Sequence, residues 1–113
     1  MRLSNWLLSA LLCAAGTVCA VSPSTAEDAS YSITIGANKF EPKILNVKAG
    51  VKIALTVKNA SGASAEFESG ELNREKVVAA GSSVVIYIGP LAPGRYPYYD
   101  DFNQSNQGEI VAK

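Results

Sequence analysis

The 113-residue sequence contains no histidine, and its two cysteines and single methionine all lie near the N-terminus, at Cys13, Cys19 and Met1. Residues 27–113 therefore carry no thiolate, imidazole or thioether, the soft and borderline ligands of protein metal sites. Catalysis by a Ser-His-Asp or Cys-His arrangement is excluded as well, because both need an imidazole as the base. This part of the chain cannot form a disulfide, even in an oxidising compartment.

An excess of one charge is also missing, since ten basic residues balance ten acidic ones. Without a basic surplus, neither nucleic acid nor an anionic membrane is expected as a partner. The short glycine-containing fragments lack a following helix and a basic phosphate-binding residue, so no nucleotide loop is expected. The composition, 48% hydrophobic and 18% charged, is that of one globular domain.

The first residues are predicted to be a secretory signal peptide. Arg2 precedes the apolar run WLLSALLCAAGTV, which is long enough for a signal-peptide core but short for a membrane span. Small residues permit cleavage after Ala20 or after Ala26. Lipidation at a cysteine is less favoured, because a bulky residue precedes each one. We therefore expect a signal peptide over 1–26 and an exported domain over 27–113.

Alternating apolar and polar residues predict β-strands through most of the exported part. The clearest alternation is at 51–58, where Val51, Ile53, Leu55 and Val57 share one face. Roughly seven or eight short strands with turn signals between them predict an all-β sandwich or barrel. The segment GELNREK at 70–76 is where a helical turn is expected instead.

Motifs over nearly all of the exported part resemble the cupredoxin-like family, in particular the small domain of EfeO-type and FtrB-like periplasmic iron-uptake proteins. The matching motifs are F-EP-K-I-NV-AG at 40–50, VKN at 57–59, AEFES at 65–69, EKVV at 75–78, PLAPGRYPYYDDF at 90–102 and GEIV at 108–111. The resemblance implies a Greek-key β-sandwich with its site at one end, between the loop before AEFES and the last loop. It also implies a periplasmic role in iron uptake, beside an inner-membrane iron permease and a periplasmic iron-binding partner.

Copper-binding members of the family take Cys, His and Met from the last loop and a second His from an earlier loop. On this sequence the Cys position falls at Asp100, the later His position at Asn103, the Met position near 106 or 107, and the earlier His position at or beside Ala65. A type 1 copper site is not expected, because it needs a thiolate and imidazoles. Without an imidazole at Asn103, the chain is expected to be at most a partner in ferrous-iron oxidation, with no catalytic residues of its own.

Carboxylates and amides remain as candidate metal ligands. The predicted site consists of Glu66, Glu68, Asp100 and Asp101, with Asn103 as a weak extra ligand. The two glutamates lie two apart on one predicted strand and so share a face. Oxygen ligands suit hard cations such as ferric iron, so the prediction is a domain that binds or hands over iron.

Two other functions stay open at this point. In the first, the chain is a metal-free interaction module, and the same carboxylates are solvated strand-end charges. In the second, it is a copper electron-transfer protein. This is the least favoured function, because the Cys, His and Met ligands of copper are missing. Tyr96, Tyr98 and Tyr99 could ligate ferric iron, although ordinary strand packing is favoured for them. A homodimer also remains open.

Overall fold

The computed structural model describes residues 28–113, so the predicted signal peptide over 1–26 lies outside the described residues. The described part is all-β, which confirms the expected fold class. No helix in it is long and apolar enough to cross a membrane. Its nine strands are β1 (Ala29–Ile35), β2 (Phe40–Glu41), β3 (Ile44–Val47), β4 (Ile53–Asn59), β5 (Ala65–Ser69), β6 (Arg74–Val78), β7 (Ser83–Ile88), β8 (Gly94–Asp100) and β9 (Asn103–Ala112).

The strands form two sheets that pack face to face. One sheet has the order β2-β1-β4-β7, and the other has the order β3-β9-β8-β5-β6. The chain passes from one sheet to the other at Pro42, which separates β2 from β3. The two-residue strand β2, which precedes this crossing, helps to raise the count above the expected seven or eight.

The space between the sheets is filled by every second residue of the strands, as the alternation predicts. Ile53, Leu55 and Val57 of β4 are all buried. Tyr98 of β8 lies at the centre of an aromatic group, with ring centroids 4.8 Å from Phe40 and 5.0 Å from Phe67. This group holds the two sheets together beneath the end of the sandwich where the site is expected.

Gly108 of β9 is the strand partner of Tyr98. A Cβ atom at Gly108 would lie 2.8 Å from the Tyr98 hydroxyl and 2.8 Å from the Lys43 carbonyl oxygen. The tyrosine ring therefore occupies the space that any side chain at this position would need. The Tyr98 hydroxyl itself has no hydrogen-bond partner among residues 28–113.

Asn59 fixes the loop that leads into β5. Its side chain is fully buried and donates to the carbonyl oxygens of Ala63 at 2.7 Å and Val78 at 2.8 Å. Its own amide oxygen accepts from the backbone N–H and the hydroxyl of Ser61. A buried amide with all these partners holds one loop conformation, so β5 starts at a defined position.

The segment expected to hold a helical turn forms a β-hairpin instead. Residues 70–73 make the turn between β5 and β6, and residues from Arg74 onward pair with β5. Asn73 adopts a left-handed backbone conformation, φ 55°, which asparagine tolerates better than most residues. The Ser69 hydroxyl accepts from the Leu72 N–H at 3.1 Å and donates to the Pro97 carbonyl at 2.7 Å. The local helical pattern is therefore overridden by strand pairing.

Candidate metal site

The outer face of β5 carries the two glutamates of the predicted site. Ala65, Phe67 and Ser69 point into the core and are buried, so Glu66 and Glu68 point outward and are half-buried. Strand β8 pairs with β5 in antiparallel register, with Glu68 opposite Tyr99. Asp101, which follows β8, comes to lie beside Glu66.

Three of the five predicted site residues are brought together. One carboxylate oxygen from each of Glu66, Glu68 and Asp101 lies within 4.8 Å of the other two. The Asp101 N–H donates to the Glu66 carbonyl oxygen at 2.9 Å, which ties the end of β8 to β5. The Asp101 carboxylate also accepts from the Gln104 side-chain amide at 2.9 Å. We call Glu66, Glu68 and Asp101 the carboxylate cluster.

Loss of hydration and crowded negative charge both raise the pKa values of the two glutamates in the cluster. Partial loss of hydration, followed by the charges of Glu75, Asp101 and Glu68, raises the pKa of Glu66 above its ordinary value. Loss of hydration is also the main cause that raises the pKa of Glu68. Both carboxylates therefore hold protons more tightly than free glutamate does. A cation in the cluster would relieve the repulsion that causes part of these shifts.

Two neighbours of the cluster, Tyr99 and Glu75, were outside the predicted set of five site residues. Tyr99 lies opposite Glu68 in the strand register, and interaction of its hydroxyl with the Glu68 carboxylate is the main cause that raises the pKa of Tyr99. Glu75 of β6 lies opposite Glu68 in the strand register. Only the pairing of β5 with β6 and β8 brings these residues together, so the linear sequence carries no signal for either contact.

Asp100 lies on the other face of the same sheet from the cluster. It is opposite Phe67 in the register and is only 5% exposed. One of its carboxylate oxygens accepts from the backbone N–H of Glu66 at 2.9 Å and of Phe102 at 3.0 Å. This carboxylate therefore joins the loop after β8 to β5 from within the sandwich.

Asn103 and Ala65 are likewise outside the cluster. The Asn103 side-chain amide donates to the Ala37 carbonyl oxygen at 3.2 Å, and its oxygen accepts from the Ser105 hydroxyl at 3.1 Å. Ala65 is completely buried. Of the predicted ligands, only the carboxylate cluster is arranged to share one cation among the residues from 28 to 113.

Solved structures of low sequence identity share the fold. The purple cupredoxin of Nitrosopumilus maritimus superposes with a TM-score of 0.60 at 17% identity, over 74% of this chain and 99% of that one. The metal-binding domain of a Cu(I)-exporting P-type ATPase of Streptococcus pneumoniae, solved with Cu(I), gives a TM-score of 0.62 at 14% identity, over 80% of this chain and 99% of that one.

A relative of much higher identity is an uncharacterized protein of Rickettsia prowazekii, strain Madrid E. It is 44% identical over 80 residues, which cover 70% of this chain and 64% of that protein. The family model for the cupredoxin-like domain matches residues 8–112. That match covers most of the sequence and agrees with the two-sheet sandwich. The chain belongs to the cupredoxin-like domain family.

Proposed function

We propose that this protein is an exported cupredoxin-like domain that binds a hard metal cation, iron in particular, through the carboxylate cluster. The observation that carries the proposal is the convergence of three carboxylate oxygens within 4.8 Å of one another. Carboxylates are the ligands that hard cations prefer. The described residues offer no sulfur or imidazole that would compete for the metal.

Ferric iron is favoured over calcium or magnesium by the tyrosine beside the cluster. Tyr99 lies opposite Glu68 in the register of β8 and β5, on the same strand pair that holds the cluster. A phenolate is a strong hard ligand for a trivalent ion, and it binds divalent alkaline-earth ions poorly. Loss of the phenol proton would add a fourth oxygen donor next to the three carboxylates.

Type 1 copper fits the residues of this chain poorly. The positions that correspond to copper ligands by family resemblance hold Ala65, Asp100 and Asn103, which offer a methyl group, a carboxylate and an amide. The Asp100 and Asn103 side chains are engaged in hydrogen bonds within the fold. The copper bound by the S. pneumoniae domain is therefore not transferred to this chain.

The resemblance to EfeO-type and FtrB-like domains supports a biological setting for this site. In that setting the domain works in the periplasm and passes iron between a periplasmic iron-binding partner and an inner-membrane permease. A half-buried site with protonatable ligands on the outer face suits handover, because the cation can leave as the carboxylates regain protons.

Titration of the purified protein tests the proposal. Ferric nitrilotriacetate, Fe²⁺, Cu²⁺ and Ca²⁺ would be added in turn and followed by calorimetry and visible absorption. Ferric binding is expected, with a coloured phenolate-to-iron band that Tyr99→Phe removes. Glu66→Gln and Asp101→Asn should each weaken binding at least tenfold, and binding should strengthen as the pH rises through the raised pKa of Glu66.

Glu71→Gln is the matched control, because Glu71 is an exposed carboxylate on the turn after β5 and lies outside the cluster. Unchanged binding in this variant is expected. Equal losses in Glu71→Gln and Glu66→Gln would indicate a diffuse charge effect. Absence of binding for all four metals would contradict the proposal and leave the metal-free interaction module.

A further inference from the structure

One edge of β9 lacks a neighbouring strand along its first half. Strand β9 has ten residues, but β3 pairs only with its last four, from Glu109 to Ala112. A cavity of about 330 Å³ lies at the open part of this edge. Its lining comes from the β1–β2 turn, the start of β3 and the open edge: Asn38, Lys39, Lys43, Ser105, Gln107 and Gly108 among others.

The backbone of Gln107 faces this cavity. The Glu109 N–H donates to the Lys43 carbonyl oxygen at 2.9 Å, on the side of β9 away from β8. Backbone groups of a strand alternate in direction, so the N–H and C=O of Gln107 point to the same side. Opposite Gln107 on the β8 side lies Tyr99, and on the cavity side no strand follows within residues 28–113. The N–H and the C=O of Gln107 are therefore available to pair with an added strand.

The charges around the cavity do not cancel. Lys39 pairs with Glu41, and Glu109 pairs with Arg95. Lys43 forms no ion pair with any residue in the described part of the chain. The cavity therefore keeps one unbalanced positive charge beside an unpaired strand edge.

We propose that this edge binds an extended acidic peptide, which adds to β9 as a short strand in line with β3 and places a carboxylate at Lys43. Strand addition supplies affinity through main-chain hydrogen bonds, and side-chain contacts supply specificity. The open edge from Ser105 to Gly108 accommodates about four extended residues. This peptide site is separate from the carboxylate cluster and does not depend on metal.

Nuclear magnetic resonance of the ¹⁵N-labelled protein tests the peptide site. The probe is acetyl-Val-Glu-Val-Glu-amide, and the matched probe is the same peptide with lysine in place of glutamate. The acidic probe is expected to shift the amide signals of Gln107 and Gly108 and to slow hydrogen exchange at Gln107 at least tenfold. Lys43→Gln should weaken binding about two- to fivefold, the size of an exposed ion pair.

Two further variants separate the parts of the interaction. Gln107→Pro removes the edge N–H without touching the β8 ladder and should abolish binding, with a melting curve to check folding. If Gln107→Pro fails to fold, the test rests on hydrogen exchange at the Gln107 amide and on the affinity of Lys43→Gln for the acidic probe. Lys48→Gln changes an exposed lysine outside the cavity and should leave binding unchanged.

Three results would overturn the peptide site. The first is no shift at Gln107 with millimolar acidic probe. The second is equal binding of the lysine peptide. The third is a set of shifts at Gln107 that depends on protein concentration without peptide, because this would assign the edge to a second copy of the chain.

Discussion

Asp100 and Asp101 are adjacent in the sequence and have opposite roles in the structure. Asp100 is buried and accepts two backbone hydrogen bonds, from Glu66 and Phe102. Asp101 is half-buried, and its carboxylate belongs to the cluster on the outer face. The face of the sheet on which each lies therefore decides whether a carboxylate supports the fold or remains available to a cation.

The same contrast holds for the whole end of the sandwich. The inner face holds Phe67, Tyr98 and Gly108, and the Tyr98 ring fills the space that a side chain at Gly108 would need. The outer face gathers acidic groups, where loss of hydration and then mutual repulsion raise the pKa of Glu66. Steric packing limits the substitutions that the inner face tolerates, and charge repulsion limits the charges that the outer face tolerates. The predictions below separate these two limits.

The largest effect is expected at Asp100. Asp100→Ala leaves two backbone N–H groups without their charged acceptor and should lower the free energy of unfolding by about 3 kcal/mol. Asp101→Ala removes an outward carboxylate and should change it by less than about 0.5 kcal/mol. Urea unfolding of both variants measures the difference, and equal losses would contradict the assignment of Asp100 as an internal support.

Gly108 gives the next largest effect on the inner face. The Cβ atom in Gly108→Ala would lie 2.8 Å from the Lys43 carbonyl oxygen, so a loss of about 2 kcal/mol is expected from overpacking. Gly70→Ala is the matched control, because a Cβ there meets no atom within 4 Å. Thermal and urea unfolding should show the loss in the first variant alone. A loss in both would indicate a general backbone effect rather than a steric one.

Two tyrosines of β8 test how much one side-chain hydrogen bond contributes to stability, which is expected to be about 1 kcal/mol. Tyr96→Phe removes the bond from its hydroxyl to the Ala92 carbonyl oxygen, 2.7 Å long, and should cost about 1 kcal/mol. Tyr98→Phe removes a buried hydroxyl that has no partner and should be neutral or slightly stabilising. A larger loss for Tyr98→Phe in urea unfolding would show that its hydroxyl has a partner in solution.

The smallest effect is a pH dependence on the outer face. Folding raises the pKa of Glu66 above 4.5, so the native state holds this proton more tightly than the unfolded chain. Stability is therefore lost as the pH rises through the native pKa. Glu66→Gln has no proton to lose and should be more stable than the natural protein near neutral pH. The two should converge well below pH 4.5, and a gain that persists there would contradict the electrostatic origin.

The sequence pattern predicts much of this structure, and its failures have identifiable causes. Alternation around Phe67 is enough to place Glu66 and Glu68 outward, and the turn residues are enough to predict an all-β sandwich. The role of Asp100 is harder to predict, because it is one of two consecutive aspartates at a strand end and both look like solvent-facing charges. Alternation from Tyr98 does place Asp100 inward, but a carboxylate is rarely buried without partners, and those partners lie on β5 and in the loop after β8.

Contacts between distant strands are the other limit. Tyr99 and Glu75 approach Glu68 only through the pairing of β8 and β6 with β5. Local strand propensity does not predict the register of either pairing. The hairpin of β5 and β6 shows the same limit. The local pattern at 70–76 predicts a helical turn, and only pairing with β5 makes the residues from Arg74 onward a strand. Three of the predicted site residues therefore lie together on one face, while the contacts with their neighbours required the structure.

The buried side chain of Asn59 has a consequence for how the protein can be produced. Asn59, Ala60 and Ser61 form an acceptor sequence for N-linked glycosylation, yet the native state encloses the Asn59 amide completely and uses both of its polar atoms. A glycan added during translocation in a eukaryotic host would therefore block closure of the loop before β5. Secretion from such a host should yield glycosylated chains that fail to fold, and Asn59→Gln would not rescue them, because the longer side chain cannot reproduce the same four contacts.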